Sequence, residues 1–297
     1  MSSYRLKTGG LFIRNEELDQ EKPKRIIFLS VEGNVTEKQY FKWVDKYRSE
    51  LGIVSVVHVH VLSRGRKDTR SSPFDVVDLL EECIATRNGQ IEDLLSPLLG
   101  TYSMDFIRQY LDSPKDLPKD KVRAFENELL SMEIDLHYKY FLHKVCSDDD
   151  IFGVVIDRDH KNHTLEQMED LAQACKKNGY RLFISNPCFE LWLLLHVCDI
   201  ERDLNDDIDK ILENDKVSHK HTYVSSLLQS KVGHSKEIPE GVFLKYYLNN
   251  IDTAIERAQS FSNDEYELSG LRKGMQDTRG IVGTNVQDII KLLREPY

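Results

Sequence analysis

Three stretches of the chain are apolar almost without interruption: residues 25–31 (RIIFLSV), 151–156 (IFGVVI) and 181–185 (RLFIS). A half-exposed strand alternates apolar and polar side chains, so runs of this kind have no wet face. They read as strands buried on both sides, the signature of a parallel sheet covered by helices.

The residues after each run support that reading. Glu32-Gly33-Asn34 comes after the first, and two candidate capping boxes, Asn34 with Glu37 and Thr36 with Gln39, precede apolar positions at helical spacing (Tyr40, Phe41, Val44, Tyr47). Residues 53–62 (IVSVVHVHVL) are β-branched and read as a further strand, with a helix over 73–86. A helix is expected over 163–178, ended by Gly179. After the 181–185 strand, Asn186-Pro187 reads as a helix start, with Asn at the N-cap and Pro in the first turn. Four βα units in succession predict an α/β fold with a parallel sheet of about four strands.

Residues 88–147 interrupt the alternation with leucine-, aromatic- and charge-rich segments broken by Pro97, Pro114 and Pro118, and read as a helical insertion. The expected organisation is an N-terminal extension (1–23), a core built from 24–87 and 148–200, the insertion (88–147) and a helical C-terminal region (201–297). No apolar stretch reaches the roughly 20 residues that span a bilayer, and the first 15 residues lack the apolar centre of a secretion signal. The five cysteines are odd in number and widely spaced, which fits reduced thiols of a cytoplasmic protein better than a disulfide framework or a zinc ribbon.

The net charge of −10 argues against a general nucleic-acid coat, since nonspecific affinity for phosphates comes from Lys and Arg. Two local clusters run against the average: Arg64, Arg66, Lys67 and Arg70, and the lysines of 210–236, with His219, His221 and His234 among them.

In open parallel sheets, ligands bind at the carboxyl ends of strands. Glu32 closes the first strand, and Asp157 and Asp159 close the third. If those strands are neighbours, three carboxylates meet in one volume, and in an extended segment Asp157 and Asp159 point the same way. Such a cluster calls for a cation, and oxygen-only donors suit Mg²⁺ or Mn²⁺. Glu190 sits in an apolar helix and needs a metal, a basic partner or a cleft to open onto. Lys236 is a candidate for charge developing on a phosphate. Glu37 reads as a helix cap, His58 and His60 as structural or phosphate-contacting, and His196 as a core histidine.

A strand ending in Glu-Gly, a later strand ending in Asp-x-Asp and βα units around both resemble the Toprim fold of topoisomerases, primases and related nucleases. The stretches Glu32-Gly33-Asn34-Val35-Thr36-Glu37-Lys38-Gln39-Tyr40-Phe41, Asp157-Arg158-Asp159, Asn186-Pro187-Cys188-Phe189-Glu190-Leu191-Trp192 and Thr284-Asn285-Val286 look like the RloB-like family. The resemblance covers about 24–74 and 151–293. It implies a Toprim-type catalytic domain associated with restriction and abortive-infection loci. In that domain Glu32 acts as acid/base or metal-positioning carboxylate, and Asp157 and Asp159 bind Mg²⁺ or Mn²⁺. Glu190 joins them as a separate inference from its apolar surroundings.

The chain lacks the size of a strand-gating topoisomerase and the zinc ribbon of a bacterial-type primase, which leaves a nuclease acting on RNA or DNA. Arg64, Arg66, Lys67, Arg70 and Lys236 would hold the substrate backbone. An ATPase partner and self-association are compatible with the resemblance. Two other readings stay open: an Asp-nucleophile phosphatase, for which 154–159 and Phe183-Ile184-Ser185 provide the pattern, and a noncatalytic sensor or adaptor.

Overall fold

A computed structural model describes residues 23–33, 35–62, 72–90, 93, 96–132, 134–145 and 147–296. Strand β1 (Arg25–Val31) leads through helix α1 (Thr36–Lys46) to β2 (Val57–Val61), and helix α2 (Pro73–Asn88) comes next. Helices α3 (Met104–Asp112), α4 (Lys119–Ser131) and α5 (Leu136–Lys144) precede β3 (Ile151–Asp157). The chain continues through α6 (Leu165–Asn178), β4 (Arg181–Asn186), α7 (Phe189–Leu195), α8 (Tyr223–Val232), β5 (Gly283–Thr284) and α9 (Gln287–Arg294).

The sheet order is β2-β1-β3-β4-β5. The first four strands are parallel, as the apolar runs predict, and β5 pairs antiparallel with β4. This is an α/β fold. At two residues, β5 is too short to leave a hydrophobic period in the sequence. β2 begins at Val57 rather than 53, because residues 49–57 fold back through a turn in which Val57 N–H donates to the Val54 carbonyl.

All seven residues of β1 are buried. Ile27, Leu29 and Val31 face a core shared with Tyr40, Phe41 and Val44 of α1 and with α7. On the opposite face Phe28 stacks on Phe152, and Ser30 donates its hydroxyl to the Val76 carbonyl. Helix α7 is buried around its circumference, from Leu191 to Leu195, which explains a sequence with no polar face.

The chain divides into two compact units. The larger contains the sheet and residues 149–296. The smaller contains 78–148, and its described elements are helical around a core of Ile107, Tyr110, Phe125, Leu129 and Leu136. No helix of the described residues is long and apolar enough to cross a membrane.

Two helix starts differ from expectation. α1 begins at Thr36 without a side-chain cap, and the Glu37 carboxylate instead accepts from the Gly33 N–H at 3.0 Å. α7 begins at Phe189, two residues after Pro187, so Asn186 ends β4 rather than capping the helix. The expected end of α6 is found: Gly179 adopts the left-handed conformation at φ 73°.

Candidate functional site

β2 lies on one side of β1 and β3 on the other, so the direction of winding reverses between β1 and β3. The carboxyl ends of two such strands diverge into a crevice. Two carboxylates occupy it. Register pairs Val31 with Val155, and the ladder continues as Glu32 N–H donates to the Val155 carbonyl. Glu32 Oε2 then accepts from the Asp157 N–H at 3.2 Å, so the last peptide of β3 holds the side chain that closes β1.

Asp157 is fixed from the other side. Its Oδ1 accepts from the Phe189 N–H at 2.8 Å, satisfying one of the orphan amides at the start of α7. Beyond it the chain leaves the extended conformation. Asp159 has φ 24°, its carbonyl accepts from the Asn162 and His163 amides, and its Oδ2 accepts from the Asn162 side chain at 2.7 Å. The alternation that would align Asp157 and Asp159 is lost in this turn, and Asp159 flanks the crevice beside His163.

Glu37 and Glu190 complete the acidic group with Glu32 and Asp157. Burial, and after it the Glu32, Glu37 and Glu190 carboxylates, push Asp157 well above the usual carboxylate range, against the pull of the Phe189 amide. Burial also raises Glu190, opposed by its own backbone amide, the Cys188 thiol and Lys236. Asp157 and Glu190 are nonetheless half-buried rather than sealed, and Glu32 keeps 20% of its side chain exposed. The carboxylates therefore stand at a surface that a ligand can reach.

A family model described as RloB-like protein matches residues 27–293. The chain belongs to the RloB-like family. Neither a search of curated proteins nor one of solved structures returns a significant match. The family match runs through the 88–147 segment as well as the sheet.

In this RloB-like chain three residues near the carboxylates escape a reading of the sequence. His163 sets Nδ1 3.0 Å from the Asp157 carbonyl and Nε2 3.5 Å from Glu32 Oε1. Since a carbonyl only accepts, Nδ1 carries a hydrogen, and the Nε2–Glu32 contact is attractive when either partner holds a proton. Arg158 is 2% exposed and donates to the carbonyls of His163, Ser269 and Thr278, tying the β3 turn to the 269–280 loop. Cys188 precedes α7 and accepts from Asn214 Nδ2 at 3.5 Å. The Arg158 contacts to Ser269 and Thr278 and the Cys188 contact to Asn214 are long-range relations with no local spacing, whereas His163 meets Asp157 and Arg158 within six residues, so His163 and Arg158 could have been suspected from their place beside Asp157 and Asp159.

The other candidates have different surroundings. Arg64, Arg66, Lys67 and Arg70 lie outside the described residues. Lys236 is exposed, yet its charge acts on Glu190. His58 pairs with Asp45, and buried His60 packs edge-on against Phe28. His196 sits in the aromatic core, with Nδ1 2.9 Å from the Trp192 carbonyl and Nε2 3.1 Å from the Tyr40 hydroxyl. Asn186 donates through Nδ2 to the carbonyls of Leu268, Arg279 and Ile281, each at 3.0 Å.

Among the described residues no three His, Cys, Asp or Glu side chains stand together at metal-holding geometry. The donor chemistry suits a hard dication all the same: every donor of the acidic group is a carboxylate oxygen, and a 2+ charge would relieve the mutual repulsion that raises Asp157.

Proposed function

We propose that this protein is a divalent-metal-dependent nuclease of Toprim type that hydrolyses phosphodiester bonds of RNA or DNA. The observation that carries the reading is the meeting of Glu32 and Asp157 at the reversal point of a parallel sheet, with Glu37 and Glu190 beside them. A group this acidic repels an anionic substrate unless a cation stands between them.

Glu32 and Asp157 would hold Mg²⁺ or Mn²⁺, with Glu190 within the same electrostatic group and Asp159 on its flank. Such an ion supplies a Lewis acid for a phosphoryl oxygen. The chain's own groups do the rest. Glu32, with His163 Nε2 facing it, accepts or returns a proton at the attacking or departing oxygen. Lys236 offsets charge at the rim. A role in antiphage defence, with an ATPase partner, is what the family resemblance adds to this reading.

The deciding experiment incubates the purified protein with labelled total RNA, tRNA, single-stranded DNA and duplex DNA, in Mg²⁺, Mn²⁺ or EDTA. Metal-dependent cleavage, lost in Glu32→Gln and in Asp157→Asn, is the expected result. Release of inorganic phosphate from an aryl phosphate, with every nucleic acid intact, would replace the nuclease by a phosphatase. Silence on all substrates, with infected-cell extract added, would leave a noncatalytic adaptor.

A further inference from the structure

Residues 214–222 form a tight hairpin whose residues 215–220 are exposed. Lys216 and Thr222 form an antiparallel bridge. Across the tip, Val217 and Ser218 N–H both donate to the His221 carbonyl, and Ser218 Oγ accepts from Lys220 and His221 N–H. Its base is pinned by Asn214, left-handed at φ 45°. The Asn214 Oδ1 accepts from Val224 N–H at 3.0 Å on the returning arm, while Nδ2 reaches Cys188 beside the acidic crevice.

A second anchor joins the hairpin to the turn after β3. Lys161, two residues beyond Asp159, donates to the Glu213 carbonyl and to Asp215 Oδ1 at the hairpin's base. A third runs through residues 233–238. His221 Nδ1 lies 3.2 Å from Ser235 Oγ, and the next carbonyl, that of Lys236, accepts from Thr36 Oγ1 beside Glu37. The hairpin is thus fixed to three of the segments that carry the carboxylates.

The charges are sorted along it. At the base, Glu213 and Asp215 are engaged by Lys161 and Arg279. Beyond the base, Lys216, His219, Lys220, His234 and Lys236 are exposed, and none of the lysines among them takes part in an ion pair among the described residues. Acid is neutralised where the hairpin is rooted and cation is left available along its exposed residues, with Glu237 an exposed carboxylate beside Lys236. In a chain of net charge −10, such a strip next to an acidic crevice is complementary to a polyanion that must be held beside carboxylates.

We propose that the 214–222 hairpin, with Lys236, is a phosphate-binding clasp that grips the nucleic-acid backbone flanking the carboxylate crevice. The inference rests on the reading of that crevice as a nucleic-acid site. Its ligand chemistry is the phosphodiester chain, with no base readout, so it should serve RNA and DNA alike.

The test measures binding with Ca²⁺ in place of Mg²⁺, under conditions where a gel shows the probe intact, to labelled single strands of RNA and DNA of about 30 nucleotides and to their duplexes, over a range of salt. Lys216→Glu/Lys220→Glu is compared with wild type and with a charge-matched control, Lys176→Glu/Lys177→Glu, at exposed lysines in the last turn of α6, the end of that helix that leads into β4. Thermal unfolding establishes that each variant folds. The hairpin variant should bind roughly 10-fold or more weakly at about 50 mM salt, with the slope of log K against log salt shallower by about 1.5, as expected for two lost phosphate contacts. Equal losses in hairpin variant and control would reduce the effect to net charge and overturn the clasp, as would wild-type binding to none of the probes. Cleavage in Mg²⁺ is scored separately. An active enzyme with hairpin-independent binding rejects the clasp alone, and hairpin-dependent binding without cleavage rejects the nuclease alone.

Discussion

The backbone amide of Asp157 donates to the carboxylate of Glu32, so the acid that closes β1 is positioned by the last peptide of β3. Moving the Glu32 side chain would leave the last amide of β3 without this acceptor. The site is therefore a property of the sheet register, and substitutions that preserve hydrogen-bonding shape are the informative ones.

Asp157→Asn keeps an oxygen to accept from the Phe189 N–H and removes one of the crowded negative charges. In metal-free buffer at neutral pH the variant should be more stable by about 1 kcal/mol, seen as a rise of roughly 2–4 °C in calorimetric Tm. Metal-dependent cleavage should fall by about 100-fold or more. A lower Tm in EDTA would show that the carboxylate is structurally favourable as it stands.

Gly33 is needed for a reason other than backbone freedom. A Cβ at this position would collide with the Glu37 carboxylate, which rests on the Gly33 amide. Gly33→Ala should swing that carboxylate away at a cost of about 1 kcal/mol, and the cost should shrink in a Glu37→Ala background. A double-mutant cycle by urea denaturation measures this coupling. Strict additivity would mean that the two residues act independently.

The general architecture is legible in the sequence because burial on both faces leaves a mark in composition: the apolar runs at 25–31, 53–62, 151–156 and 181–185 mark the four parallel strands, two of which extend one residue further. Glu32 and Asp157 are legible for the same reason, standing where apolar runs stop. The features that stay hidden depend on partners distant in the chain. The two-residue β5 exists because Ser185 and Asn186 offer it an edge, and Arg158 is held by carbonyls at Ser269 and Thr278. The expected alignment of Asp157 with Asp159 fails because a turn with φ 24° is not written in the residue types.

Arg158→Lys should be severe, because the guanidinium donates to three separate carbonyls. Lysine cannot serve all three in their different directions, and leaving two buried acceptors unpaired costs about 3 kcal/mol or more. Chemical denaturation measures the loss, and limited proteolysis should place early cleavage within 269–280. Wild-type stability would assign the loop to other contacts.

Two buried histidines contribute to the loss of stability in acid. Burial holds His60 down at about 4 and His196 at about 3, against 6.5 for an exposed imidazole. Below pH 6.5 the unfolded chain takes up protons that the folded chain refuses, so stability is full above that pH and falls as pH drops toward 4. Each group contributes up to about 1.4 kcal/mol per pH unit. Urea unfolding at a series of pH values should show the decline, and His196→Gln should flatten it. An unchanged slope in that variant would remove His196 as a source.

Glu32 and Asp157 are 125 positions apart in the chain, and the Ser269 and Thr278 carbonyls that hold Arg158 come later still. During synthesis a ribosome must therefore pass Thr278 before all the contacts that hold Arg158 can form, since pairings of such long range form late. A prematurely terminated product ending before Ser269 would carry the acids without the loop that fixes the turn between them. Translation itself withholds the completed turn until residues 269–278 have emerged.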